Sequence, residues 1–273
     1  MPELPEVART VYSLKQAIDK EILEEVIIHS GRYSRHGDPA GLKSFREDLP
    51  ARIERIEFHG KLIIFHFISY VSGKKWWAWN TLGMGGGWRN DRVKHSHVEF
   101  KTSAGSVFFT DIRNFGTLKF SGDENETIRK KATIGPNHLE GDISDSLFKE
   151  RLMKYPKKTL PEVMMDQSLI GGIGNYIKAE ALYIAGISPH RLVESLSDEE
   201  FSALNVAVRD VIRSSYARRG VTISTYRDID GEPGDFVFYL RVYGRKVCDN
   251  GYPVIRELTK DRRTTHWVPQ IQK

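Results

Sequence analysis

This sequence is short of cysteine and of long apolar runs. Its 273 residues include one cysteine, Cys248, so no internal disulfide can form and a reducing compartment is indicated. No stretch approaches the ~20 consecutive apolar residues of a membrane helix, and the acidic, proline-containing start is unlike a secretory signal. These absences favour an intracellular protein without a membrane span.

The chain is modestly basic, with a formal net charge of +5, and the surplus lies in its last quarter. Residues 201–273 contain 13 Lys or Arg and 8 Asp or Glu, whereas residues 1–200 are balanced. The basic residues that cluster there are Arg218, Arg219, Arg241, Arg245, Lys246, Arg262 and Arg263. A basic region joined to a neutral one is weak evidence for a polyanionic partner such as nucleic acid.

The N-terminus carries the residues best suited to chemistry. If Met1 is removed, as a small second residue favours, the chain begins with the secondary amine of Pro2. A backbone amine titrates near ~8, so part of it is nucleophilic at neutral pH, and its attack on a sugar carbon would give an iminium. Glu3 and Glu6 follow at once and can move protons around that centre.

The same segment also fits an ordinary helix start. Pro5 and Glu6 suit a first helical turn, and an apolar face follows at spacings of three and four: Val7, Val11, Leu14 and Ile18. The two interpretations are compatible, because a docked helix would hold the terminus in place.

The rest of the chain changes period near its middle. Short β-rich runs predict a β-sandwich or barrel: 24–29, 51–58, 61–68, 75–81, 96–101, 106–111 and 117–120. Helical spacing begins at Leu160, is interrupted by the glycine-rich segment 171–175, and returns in a helix over 197–218. Two strands, 236–243 and 264–271, are predicted last.

Six motifs together resemble the formamidopyrimidine-DNA glycosylase/endonuclease VIII family of base-excision repair enzymes. They are Pro2-Glu3-Leu4-Pro5-Glu6-Val7, Gly60-Lys61, Leu82-Gly83-Met84-Gly85-Gly86, Asp111-Ile112-Arg113-Asn114-Phe115-Gly116, Met165-Asp166-Gln167 through Gly174-Asn175, and Val242-Tyr243-Gly244-Arg245-Lys246. Any one is weak evidence, but six in the right order across the whole chain are strong evidence.

The resemblance implies a two-domain α+β fold. Its expected parts are an N-terminal catalytic β-sandwich with flanking helices (1–130), a linker (131–150), a helix-two-turn-helix domain with a lesion-capping loop (151–234), and a β-hairpin finger (235–273). DNA would lie in the cleft between the domains.

The resemblance also implies residue roles. Pro2 would be the Schiff-base nucleophile, Glu3 the acid that protonates the opening sugar, and Glu6 its support. Lys61, which is counted with the catalytic residues, would bind phosphates around the flipped nucleotide together with Asn175 and Arg263, and Tyr243 would also bind DNA. Met84, Arg113 and Phe115 would fill the gap that a flipped nucleotide leaves, because apolar and aromatic side chains can stack into such a void.

Three of these residues have simpler interpretations. Met84 and Phe115 could be core residues, and Lys61 could be a solvated lysine at a strand edge.

The finger departs from the zinc-binding pattern of many relatives. Val268 and Ile271 stand at the last two ligand positions, and with one cysteine a four-thiolate site is impossible. The sequence therefore predicts a zincless finger held by packing of Tyr252, Val254, Leu258, Trp267 and Ile271.

The predicted function is that of a bifunctional DNA glycosylase/AP lyase that excises formamidopyrimidines and possibly 8-oxoguanine, then nicks the strand by β,δ-elimination. No cofactor is expected. The expected partner is double-stranded DNA with damaged bases or abasic sites, bound by a monomer inside the cell, in the nucleus if the cell has one. The alternatives are an endonuclease VIII-like enzyme for oxidised pyrimidines and a non-catalytic damaged-DNA binder.

Overall fold

The computed structural model describes residues 2–221 and 229–273. Met1 and residues 222–228, which are half of the lesion-capping loop predicted at 222–235, lie outside it. The chain divides into two compact units. The first unit comprises residues 1–132 and 219–234, and the second comprises 133–218 and 235–273. In the described ranges, no helix is long and apolar enough to cross a bilayer.

The first unit is built on a β-sheet with helices around it. Its helices are α1 (Leu4–Ile18), α2 (Arg32–His36), α3 (Leu42–Glu47) and α4 (Glu124–Ala132). Its strands are β1 (Ile22–Ile28), β2 (Ala51–His59), β3 (Leu62–Ser69), β4 (Lys75–Thr81), β5 (Gly86–Arg89), β6 (Ser96–Thr102), β7 (Gly105–Asp111) and β8 (Thr117–Ser121). The apolar face predicted for α1 is buried, so α1 packs as an amphipathic helix.

The strands of the first unit pair antiparallel in the order β5-β7-β6-β1-β2-β3-β4-β8. In this order β3 and β6 are separated by two strands, which in a flat sheet would put them roughly 14 Å apart. Phe65 on β3 nevertheless meets Phe100 on β6 with 5.4 Å between ring centroids. The sheet therefore folds over itself into the predicted sandwich, and an aromatic core fills its interior.

The second unit is mainly helical. Its elements are α5 (Asp145–Leu152), α6 (Leu160–Met164), α7 (Asn175–Ile184), α8 (Asp198–Ala217), β9 (Ile255–Leu258) and β10 (Thr264–Trp267), with 3₁₀ turns at Val193–Ser195 and Phe236–Tyr239. Two tight turns join α6 to α7. Gln167 ties them together, because its Nε2 donates to the Ile173 carbonyl at 2.9 Å and its Oε1 accepts from Gly172 N–H at 3.0 Å.

The domain boundaries differ from those predicted. Residues 133–150 belong to the second unit, where Phe148 is fully buried and Asn205 donates to the Ile143 carbonyl at 2.8 Å. Residues 219–234 belong to the first unit, in whose core Ile229 is buried. Residues 133–150 are rich in charge, so their composition did not indicate a packed segment. Ile229 lies far along the chain from the sandwich, so its place in that core could not be predicted from local patterns.

Two element predictions were also wrong. The strand predicted at 236–243 is a 3₁₀ turn followed by a bend and a second turn, and the hairpin is formed by β9 and β10 alone. Strand β5 was missed because Gly86 and Gly87 lack the side chains that indicate a strand.

Candidate functional site

The first unit presents the N-terminal carboxylates from the start of α1. Pro2 is buried, and Glu3 and Glu6 are 2% and 1% exposed. Glu6 has a defined structural role: its Oε2 accepts from Glu3 N–H at 2.7 Å, and its Oε1 accepts from Val221 N–H at 2.8 Å. Glu3 and Glu6 thus form the start of α1, so the helix-start interpretation and the chemical interpretation of this segment are compatible.

Gly220 makes this contact possible. Its φ is +84°, and a Cβ on it would lie 2.7 Å from Glu6 Oε1. Any side chain here would be strained and would also displace the Glu6 carboxylate. Residue 220 therefore leaves room for the Glu6 carboxylate, a contact that the sequence motifs did not reveal.

The residues expected to fill the DNA gap lie on two loops that contact each other. Met84 is 37% exposed and Phe115 is 53% exposed, so neither is a core residue. A Cβ on Gly83 would come within 2.6 Å of Gly116 N, which shows how closely the loops approach. The Arg113 guanidinium lies 5.0 Å from the centre of the Phe115 ring, at cation–π distance.

Asp111 holds the second of these loops. It is 1% exposed, and its carboxylate accepts from Gly116 N–H at 2.6 Å and from Arg113 N–H at 3.1 Å. An apolar, exposed loop end needs such an anchor, because exposed apolar side chains give it no packing of its own. Asp111 is part of the motif Asp111–Gly116, but the sequence alone did not indicate that it anchors this loop.

Lys61 lies in the turn between β2 and β3, directly after Gly60, whose φ is +55°. The lysine is half-buried rather than fully solvated. It directly precedes the first residue of β3, Leu62.

In the second unit, α7 and the β9–β10 turn meet at the expected phosphate-binding residues. Asn175 Nδ2 donates to the Thr264 carbonyl at 2.9 Å, next to Arg263, which is exposed. Tyr243 is half-buried, with its ring 4.8 Å from that of His266. Burial, with help from Arg256 and Lys178, lowers the pKa of His266 to about 4, so this ring adds no charge at neutral pH.

The carboxylate of Glu180 organises the segment that carries Tyr243. Its oxygens accept from Arg241 N–H at 2.8 Å, Val242 N–H at 3.0 Å and Tyr243 N–H at 2.7 Å. Burial raises the pKa of Glu180, and these three donors oppose that rise. The Val242–Lys246 motif is thus placed by a helix residue that no motif contains.

The finger does not fit a zinc ion. Cys248 is buried in a small apolar cluster with Ala179, Tyr183, Val242 and Val268. Within residues 2–221 and 229–273, no three His, Cys, Asp or Glu side chains are grouped to hold a metal.

The expected packing of the finger was only partly right. Val254 and Ile271 pack on the cluster, and Trp267 contacts His190. Tyr252 and Leu258 are 45% and 73% exposed, so they do not hold the hairpin.

A sandwich with two buried carboxylates, Glu3 and Glu6, near its N-terminus, and a helix-two-turn-helix unit with a hairpin finger, are together typical of a class of DNA glycosylases. Comparison with known proteins agrees. The formamidopyrimidine-DNA glycosylase N-terminal domain matches residues 1–118, and the H2TH domain of the same proteins matches residues 134–227. The chain belongs to the formamidopyrimidine-DNA glycosylase family.

Relatives match over the whole chain. The formamidopyrimidine-DNA glycosylase of Desulfitobacterium hafniense is 34% identical over 97% of each chain. The MutM (Fpg) structure from Thermus thermophilus has a TM-score of 0.86 at 30% identity, covering 99% of this chain and 98% of that one. A Lactococcus lactis Fpg mutant solved with Fapy-dG DNA has a TM-score of 0.86 at 26% identity, covering 100% of both.

These matches confirm the predicted family, the two-domain α+β fold, the enzyme class of DNA glycosylase/AP lyase and DNA as the partner.

Proposed function

We propose that this enzyme removes formamidopyrimidines opposite cytosine as its main activity, takes 8-oxoguanine less readily, and nicks the strand by β,δ-elimination. The observation that carries the proposal is the buried pair Glu3 and Glu6 directly behind Pro2. The Lactococcus lactis relative solved with Fapy-dG DNA supports the choice of lesion.

The proposed reaction begins at the secondary amine of Pro2. Its nitrogen attacks C1′ of the damaged nucleotide, the glycosidic bond breaks, and the base leaves with a proton. Glu3 protonates the ring oxygen as the sugar opens, which gives an iminium between Pro2 and C1′. Loss of a C2′ proton moves its electron pair into the iminium and gives an enamine, whose electrons then expel the 3′ phosphate and leave a conjugated iminium. Loss of a C4′ proton expels the 5′ phosphate in the same way, and water then hydrolyses the iminium to release Pro2.

The remaining site residues would hold the DNA. Lys61, Asn175, Tyr243 and Arg263 are assigned to its backbone. Met84, Arg113 and Phe115 are assigned to the vacated stack, and their exposure on two touching loops supports this. Arg113 would donate to the base opposite the lesion, which suits the acceptors of cytosine.

Borohydride trapping tests the mechanism, because it reduces an iminium to a stable amine. The wild-type protein should form a covalent adduct on abasic DNA through Pro2. Pro2→Gly keeps an amine but not a secondary one, and should trap poorly. A wild-type protein that forms no adduct would refute the lyase mechanism.

Glu3→Gln separates the two steps. Base excision should be lost while some cleavage of preformed abasic sites remains, because the sugar there is already free to open. Equal loss of both activities would contradict the role of Glu3 as ring-opening acid.

A panel of duplexes tests the choice of lesion under single-turnover conditions. Ring-opened guanine should be removed fastest, and deleting residues 225–228, which spares the core residue Ile229, should impair 8-oxoguanine removal more than formamidopyrimidine removal. An enzyme that prefers thymine glycol or dihydrouracil would instead be endonuclease VIII-like. A Lactococcus lactis Fpg structure with oxidised-pyrimidine DNA keeps this alternative open.

The proposed nucleophile depends on processing of the N-terminus. A retained Met1 or an acetylated N-terminus, detected by mass spectrometry, would remove the nucleophile and leave a non-catalytic damaged-DNA binder.

The place of action follows from the substrate. The enzyme would work wherever the cell keeps its DNA, in the nucleus if the cell has one, and cell fractionation tests this.

A further inference from the structure

A buried ion pair joins α7 to the finger hairpin. Lys178, on α7, and Asp261, in the β9–β10 turn, meet with 2.6 Å between Nζ and Oδ2. Their side chains are 0% and 3% exposed. Removing two opposite charges from water is costly, and an apolar pair of similar volume often stabilises a protein as well. The pair therefore calls for an explanation beyond stability.

Asp261 organises the turn in which it lies. Its Oδ1 accepts from Thr259 Oγ1 at 2.6 Å, and Thr259 Oγ1 is 2.7 Å from Thr265 Oγ1 on the opposite strand. Thr259 N–H donates to the Arg263 carbonyl at 3.1 Å, and Arg262 has a φ of +59°. An unfavourable backbone conformation is thus held in place by hydrogen bonds that converge on one carboxylate.

Helix α7 holds this turn on both sides of Arg263. Lys178 binds Asp261 before it, and Asn175, one helical turn earlier on α7, binds the Thr264 carbonyl after it. The Arg263 side chain between these two attachments is exposed. The apolar cluster around Cys248 contains no residue of this turn.

We propose that Lys178 and Asp261 are positioning residues for Arg263, which order the β9–β10 turn so that the guanidinium is pre-arranged for a DNA phosphate. This inference rests on the proposed function, in which Arg263 contacts that phosphate. Pre-ordering matters because a loop ordered before binding loses less entropy when the complex forms. The ion pair would thus improve DNA binding without touching DNA.

The test is a double-mutant cycle between Asp261→Asn and Arg263→Ala. Binding is measured to a duplex that contains a tetrahydrofuran abasic analogue, over a range of salt concentrations. Asp261→Asn should weaken binding roughly tenfold in the wild-type background and reduce the salt slope by about one phosphate contact. In the Arg263→Ala background it should change affinity less than about twofold.

The matched control is Asp142→Asn, which breaks the exposed Arg213–Asp142 pair of the same unit and should leave affinity unchanged. An Asp261→Asn effect of equal size in both backgrounds would show general damage to the finger and overturn the proposal. So would an unchanged affinity.

A second variant covers poor folding of Asp261→Asn, which leaves Lys178 buried and charged. Lys178→Met combined with Asp261→Asn removes both charges and should restore the melting temperature but not the affinity. Recovery of both would mean that the pair only neutralises itself, which contradicts a positioning role. If Arg263→Ala alone changes nothing, the inference falls, while borohydride trapping through Pro2 reports separately on the glycosylase/lyase function.

Discussion

The two units build their interiors from different side chains. The core of the first unit is aromatic and apolar, with Phe45, Phe65 and Phe100 at 0% exposure and Trp88 at 1%. The second unit buries ionisable side chains: Lys178 at 0%, Glu180 at 1%, His138 at 2% and His266 at 4%. Both interiors contain buried carboxylates, since Glu3, Glu6 and Asp111 are buried in the first unit, but within the described residues the second unit alone also buries a lysine.

The difference follows from how each unit satisfies its backbone. A sheet of paired strands uses its own N–H and C=O groups, so the side chains between its layers need no polar atoms. The finger has two four-residue strands and long irregular segments. Carboxylates such as Glu180 and Asp261 supply the acceptors that strand neighbours would otherwise provide. A small unit without enough sheet therefore uses buried charge to specify its loops.

The largest expected effect concerns Phe65, in the aromatic core of the first unit. Phe65→Ala should destabilise the first unit by about 4 kcal/mol, because it removes a fully buried ring from contact with Phe67, Trp88 and Phe100. Urea unfolding followed by tryptophan fluorescence measures the loss. Tyr70→Ala, at a 58% exposed position, is the control and should cost little. A loss below about 1 kcal/mol would mean that this core is loosely packed.

In the second unit the next largest effect is expected at Glu180, a buried carboxylate on α7. Glu180→Gln should cost about 3 kcal/mol, since one amide carbonyl replaces a carboxylate that accepts three backbone N–H groups. Amide hydrogen exchange at residues 241–243 should accelerate, and DNA binding should weaken. Glu194→Gln, at an exposed position, serves as the control. Unchanged exchange at 241–243 would show that the backbone holds this segment alone.

Buried His138 should make the stability of the second unit depend on pH. Burial, reinforced by Arg209 and Arg213, lowers the pKa of His138 to about 4, below the ordinary value of 6.5. Between these values the unfolded chain takes up a proton that the folded chain does not. The contribution of His138 to the free energy of unfolding should therefore fall by about 2 kcal/mol as the pH drops from 7 to 5.

His138→Gln should lose that part of the pH dependence, while the contribution of His266 remains. Urea midpoints at the two pH values measure the difference. NMR titration of the imidazole checks its cause, and a titration midpoint near 6.5 in the folded protein would contradict the prediction.

The smallest effect concerns a helix end rather than an interior. The Ser197 hydroxyl caps α8 by accepting from Glu200 N–H at 3.3 Å. Ser197→Ala should cost about 1 kcal/mol, whereas Ser197→Thr keeps the acceptor and should cost only a few tenths. Thermal unfolding measures both. Equal losses would mean that the hydroxyl is not the stabilising group.

Most of the fold was predictable from local patterns. The alternation in residues 51–58 and 61–68 gave β2 and β3, and the apolar face from Val7 to Ile18 gave α1. The chemistry at Pro2, Glu3 and Glu6 could be argued because all three stand together in sequence. These are short-range signals, which a single sequence carries well.

What could not be predicted depends on contacts between distant residues. Lys178 and Asp261 are 83 positions apart, and nothing near either indicates its partner. Gly220 is one glycine among 23 until the Glu6 carboxylate is seen beside it. The 3₁₀ turn at Phe236–Tyr239 has a strand-like composition, and tertiary packing overrides it.

The interleaving of the two units along the chain has a consequence for synthesis on the ribosome. The first unit receives a core residue, Ile229, long after the strands of its sandwich have been made, and the second receives Val268 later still. Neither interior is complete when the other begins to form, so the nascent chain must keep two unfinished cores apart. The finger follows Ile229 in the sequence, so the residues that hold Arg263 in place are made only after the sandwich has received its last core residue.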